Sequence, residues 1–216
     1  MENRIFFIST SRIEAFSDGV FAIVITLLAF QFKIPKFTHE ATLYQNFQEL
    51  LKLSPHFIGF VFSFLFVAVF WINHHQLFHT IKEADRKLLW YNIHLLFWIT
   101  IIPFPTAMVG DHPEIPVATM SLAFVLMMAS LAAFIVRRYC YFKASLVDEN
   151  LSLDSIKDGL NKNIAAIVLN FAAILIATYS VKICYVIFIL VLALFIIPQK
   201  LERKSKSSSK KINNET

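Results

Sequence analysis

The sequence predicts an all-α polytopic membrane protein with six transmembrane helices, and three observations predict it. Hydrophobic residues make up 57% of the 216 positions and the mean hydropathy is +0.61, whereas a soluble domain is roughly 45–50% apolar. Six stretches contain no Asp, Glu, Lys or Arg: 19–32, 53–80, 88–110, 115–136, 163–181 and 183–199. Five of them approach or exceed the roughly 17–25 residues that a helix needs to cross the hydrocarbon core, and the first does so once its charged entrance is included. If the six spans alternate in direction, sixteen of the twenty lysines and arginines fall on one side. By the positive-inside rule, both termini are expected in the cytoplasm.

The first span opens with "RIEAFSDGVFAIVITLLAF", residues 12–30. Arg12 and Glu14 interrupt it before an apolar core of signal-peptide length builds, so this helix is expected to stay in the mature protein. Asp18 needs a reason to be there, because a carboxylate at bilayer depth costs about 2.5–3.5 kcal/mol even on insertion scales. The loop that follows places Leu43, Phe47, Leu50 and Leu51 at i, i+4, i+7 and i+8, the spacing of a short amphipathic helix lying on the outer surface. In the third span, Pro103 and Pro105 are expected to bend or end the helix near its outer end, since each lacks a backbone donor.

Residues 1–199 read as one six-helix transmembrane domain. The stretch 200–216, "KLERKSKSSSKKINNET", reads as a basic, serine-rich cytoplasmic tail, disordered and attracted to anionic lipid. The largest segments outside the membrane, 33–52 and 139–162, are too short for a soluble catalytic domain, so no enzyme is expected. Cys140 and Cys184 follow no metal or redox spacing. The chain has four glycines, no internal repeat and no TVGYG-like filter, Walker loop or dinucleotide fingerprint. No resident cofactor, structural metal or nucleic-acid partner is expected.

Polar residues recur at one depth near the cytoplasmic ends of three spans: Ser17 and Asp18 on the first, His74 and His75 on the second, Asn92 and His94 on the third. Three readings are open. The layer is a structural clamp in which Asp18 faces imidazoles or an amide; or it is a proton relay, as in a proton-coupled secondary transporter; or "HHQLFH" holds a metal, although Gln76 stands where a zinc-protease helix has its glutamate. Helical phase then splits the first span. At 100° per residue, Phe16, Gly19, Val20, Ile23, Thr26, Leu27 and Phe30 share one face, while Asp18 lies about 140° and Ser17 about 120° from Ile23. That stripe is either a packing seam or the wall of a pathway, with Asp18 anchoring the helix from behind.

Arg12, Phe16, Ser17 and Asp18 spell R-x-x-x-F-S-D ahead of "GVFAIVITLL". With "FWINHHQLF" at 70–78 and six spans, this resembles the prokaryotic members of the transmembrane protein 175 family of potassium channels. The resemblance implies a cation-permeable potassium channel without a carbonyl filter, assembled in the bilayer as a homotetramer with the first helix of each subunit around a central pore. It places the constricting isoleucine on Ile23 and a selectivity threonine on Thr26, with Leu27 and the bulkier Phe30 continuing the gate outward. Arg12, Phe16, Ser17 and Asp18 then fix the pore helix, and potassium is the permeant ion. A ring of four isoleucines is a narrow apolar neck that conducts only when it widens or wets.

Overall fold

A computed structural model describes residues 9–32, Pro35, Phe37, 39–143 and 153–196. The order of elements is α1 (Thr10–Ala29), α2 (Leu43–Leu51), α3 (Ser54–Phe78), α4 (Arg86–Ile101), α5 (Pro103–Asp111), α6 (Pro116–Phe142), α7 (Leu153–Ile176) and α8 (Val181–Ile196). The architecture is all-α, and the six spans read from the sequence correspond to α1, α3, the α4–α5 pair, α6, α7 and α8. The stretches 43–78, 86–111, 116–142 and 157–176 are long and apolar enough to cross a membrane, and the apolar α8 is shorter. α1 is 20 residues long and carries its charges in its first half. The basic stretch 200–216 lies outside the described residues.

Local chemistry sets the ends of these helices. Proline occupies the first turn of α3, α5 and α6, where its missing N–H costs no hydrogen bond. Thr42 and Gln45 form a reciprocal capping box at α2: the Gln45 N–H donates to the Thr42 hydroxyl and the Thr42 N–H donates to Gln45 Oε1. At Ile102 the third span breaks into α4 and α5, because Pro103 and Pro105 each remove a donor from the ladder. α2 forms where its apolar spacing predicts. None of its residues is buried within the chain.

α6 and α7 pack most extensively on each other, α8 lies against α7, and α1 lies against α3 and α4. Buried Ala118, Ala129 and Ala132 on α6 and Ala166 and Ala173 on α7 explain the close α6–α7 approach, since small side chains let two backbones come together in lipid. Phe66 and Phe188 join α3 to α8 edge to face, with ring centroids 6.1 Å apart.

Beside the membrane-facing helices, Asp85 clamps the start of α4 to the end of α6. Its carboxylate caps α4 by accepting the Leu88 N–H at 2.9 Å, accepts the Tyr139 hydroxyl at 2.5 Å, and pairs with Lys143. Burial alone would raise its pKa, but these donors outweigh it and hold the carboxyl down at about 2, against an ordinary 3.8. Lys143 is shifted up by the same contact. Because the folded pKa is depressed, the stabilisation is complete above about pH 4 and is lost as pH falls toward 2. Thermal unfolding in detergent across this range is expected to show the loss, and Asp85→Asn is expected to lower stability at neutral pH and to flatten that acid limb.

Candidate functional site

Two opposite faces define α1. Ile13, Ser17, Phe21, Val24 and Leu28 are buried against the neighbouring helices. The opposite stripe is open: Phe16 is 57% exposed, Ile23 60%, Leu27 45% and Phe30 84%. Thr26 is exposed on the same stripe, and a Cβ added at Gly19 would meet nothing within 4 Å. Val20, placed on this stripe by helical phase, is partly buried and packs against the core. A membrane-depth stripe of large apolar residues that the chain itself leaves uncovered must be covered by lipid, by another subunit or by a pore.

The Thr26 hydroxyl donates to the Ile23 carbonyl at 2.8 Å. Its one hydrogen is therefore spent inside the helix, and its remaining lone pairs face outward as acceptors.

The buried face is fastened by a three-helix hydrogen-bond chain. Ser17 is fully buried and donates to the Ile13 carbonyl at 2.8 Å. Asn92 Nδ2 on α4 donates to the Ser17 hydroxyl at 2.9 Å, and Asn92 Oδ1 lies 2.7 Å from His74 Nε2 on α3. Since the amide oxygen only accepts, His74 Nε2 carries the proton. The His74 ring also stacks on Phe78 and contacts Phe21 of α1. At the outer end, the Gln31 side-chain amide donates to the Pro103 carbonyl at the α4–α5 break, and Ser63 and Thr106 share a buried hydrogen bond of 2.6 Å between α3 and α5.

The other members of the expected polar layer fall elsewhere. Asp18 is half-buried and accepts the Trp71 indole N–H at 2.8 Å, so its partner is neither an imidazole nor an amide. His75 is exposed and stacks between Trp71 and His79. His94 accepts the Trp98 indole N–H at 3.0 Å on its own helix. Arg12 is exposed at the first turn of α1. Among the described residues no group of three His, Cys, Asp or Glu side chains is placed to hold a metal ion.

A charge directly after the apolar stretch 115–136 reads as the edge of a loop, but the structure buries Arg137 within α6. Its guanidinium donates to the Asn73 carbonyl and to Asn73 Oδ1, both at 3.3 Å. Gly159 of α7 makes room for it: a Cβ at that position would lie 2.3 Å from Arg137 Nη1. Arg137 lines a small interior cavity of about 30 Å³ with His74, Asn163 and Asn170, which is room for a water molecule. Asn163 Nδ2 and Asn170 Oδ1 have no hydrogen-bond partner among the described residues. The signal in the sequence is a pair of asparagines seven residues apart, 163 and 170, in the uncharged stretch 163–181.

These features define a multi-pass, all-α membrane protein whose first helix is pinned on one face and open on the other. The family described as "Endosomal/lysosomal potassium channel TMEM175" matches residues 12–103. A potassium channel of Chryseobacterium sp. is 39% identical over 117 residues, covering 53% of this chain and 57% of the relative. A potassium channel of Chamaesiphon minutus is 42% identical over 112 residues, covering 50% and 55%. The sequence matches thus span a little over half the length of these relatives. The crystal structure of a lysosomal potassium-selective channel TMEM175 homolog from Chamaesiphon minutus superposes with a TM-score of 0.75 at 27% identity, covering 88% of this chain and 98% of that one. The chain is thus similar to the TMEM175 family over residues 12–103 and shares the fold of a solved homolog.

Proposed function

We propose that the protein is a potassium channel. Four copies surround a central axis with α1 innermost, and potassium passes down its gradient between the four stripes. The observation that carries this reading is the two-faced α1, fastened behind by Ser17 and open in front at Ile23, Thr26, Leu27 and Phe30. The relatives' names and the shared fold support it. Ile23 forms the apolar constriction, and the outward lone pairs of Thr26 replace part of the ion's hydration shell, which gives modest discrimination between potassium and sodium. Leu27 and Phe30 continue the neck, and Asp18 and Trp71 steady the helix beside the layer of Ser17, Asn92 and His74. The excess of Lys and Arg on one side supports a cell-membrane protein with both termini in the cytoplasm.

A proton-coupled transporter would need a carboxylate joined to the histidine layer. Asp18 bonds to an indole instead, and His74 is engaged by Asn92, so the relay lacks its acid. The test is flux from potassium-loaded liposomes containing purified protein, followed by potential measurements with potassium on one side and sodium on the other. Passive, potassium-preferring flux is expected. Flux no greater than in protein-free liposomes overturns the reading.

A further inference from the structure

A crevice of about 920 Å³ opens at the end of the bundle where α3 begins and the α5–α6 and α7–α8 turns lie. Gly59, Thr106 and Val109 line it, with an apolar wall of Ile58, Phe62, Leu122, Phe188 and Ile189. Among the residues that line it only two are charged, Glu114 on the α5–α6 turn and Lys182 at the start of α8. Both are exposed, on elements that form opposite parts of the rim, and neither makes an ion pair with a described residue. The Tyr185 hydroxyl donates to the Pro113 carbonyl at 2.8 Å, tying these two rim elements together. Tyr179, also on the rim, is almost fully exposed, as an aromatic at headgroup level is. From Lys182 to Ile189 the crevice descends about 10 Å along α8, from charge to purely apolar wall.

The geometry points to a binding site for one zwitterionic aminophospholipid of the adjoining leaflet, its phosphate at Lys182, its ammonium at Glu114 and an acyl chain between Phe62 and Ile189. Charge complementarity selects this lipid. An anionic headgroup without an ammonium would satisfy Lys182 but face the Glu114 carboxylate, and the pair of opposite charges fits a headgroup that carries both. The site rests on the proposed arrangement with α1 at the centre, because no α1 residue lines the crevice and it then opens outward to lipid.

Native mass spectrometry of the full-length protein, released from detergent with equal amounts of phosphatidylethanolamine and phosphatidylglycerol, tests the site. Phosphatidylethanolamine is expected to be retained preferentially. Glu114→Gln together with Lys182→Gln is expected to reduce that retention at least about tenfold, the scale of two headgroup charge contacts. Ile189→Trp, which fills the apolar wall and leaves the charges in place, is expected to reduce it as well. A photoreactive benzoylphenylalanine in place of Ile189 is expected to label lipid. Equal retention of the two lipids, or unchanged retention in these variants, would mean annular lipid only and overturn the proposal. A cross-link from position 189 to a second subunit would overturn it too, by showing that protein fills the crevice. Potassium flux from the same preparations reports on the channel reading separately: selective retention without flux sinks the channel and leaves the site, and flux without selective retention does the reverse.

Discussion

Ile23→Asn is expected to raise potassium flux through the reconstituted protein by about tenfold, which corresponds to about 1.4 kcal/mol removed from the conduction barrier. In the proposed pore a ring of four isoleucines excludes water from a narrow neck; four smaller, polar amides would admit it, so the barrier to wetting falls while the packing of α1 on its buried face is untouched. Ile23→Ala is expected to act in the same direction by widening the ring. Both changes are expected to weaken the preference for potassium, because a hydrated ion that passes without contacting Thr26 is not discriminated. The measurement is flux and reversal potential with potassium opposite sodium. Conduction that ignores the residue at position 23 would remove Ile23 from the pathway.

Asn92→Leu is expected to be the most damaging single change among the residues that hold α1. Asn92 is fully buried and makes both hydrogen bonds of the three-helix chain, to Ser17 and to His74. Leucine leaves the His74 imidazole N–H without its partner, at about 1–3 kcal/mol for a buried unsatisfied group, and removes the donor to Ser17, whose hydroxyl keeps its bond to the Ile13 carbonyl. Interhelical bonds in membranes average nearer 0.6 kcal/mol, so a total of about 2 kcal/mol is the reasonable expectation. It would appear as a lower unfolding temperature in detergent. The double change Ser17→Ala with Asn92→Leu is expected to cost less than the two single changes added together, since the same bond is lost in each. Additive costs would show that the two side chains are not coupled.

Much of this fold is legible in the sequence because membrane-spanning helices announce themselves by uncharged length, and α2 and the α4–α5 break by apolar spacing and by two prolines. The two faces of α1 also follow from helical phase alone. The polar layer was legible in depth but not in detail. His74 and His75 are adjacent and lie 100° apart, and Asn92 and His94 are two residues apart, so in each pair only one side chain can face a given neighbour. Phase does not say which. The indole that meets Asp18 is 53 residues away on another helix, and no local pattern carries that pairing. Arg137 was misplaced for a different reason: charge at the end of an apolar run reads as a boundary, and only the contact with Asn73 and the glycine at 159 shows that the bundle closes over it.

The two attachments of α1 have a mechanical meaning. Ser17 is held by Asn92 on α4, and Gln31 by Pro103 at the start of α5. The two points are fourteen residues apart, roughly 21 Å along the helix. A rod pinned at two points to the same support cannot swing or slide, and the freedom left to it is a small twist about the line through the pins. In the proposed pore, such a twist would turn the Ile23 side chains into or out of the axis like the slats of a blind, and the neck would change width while α1 and the α4–α5 pair travel together.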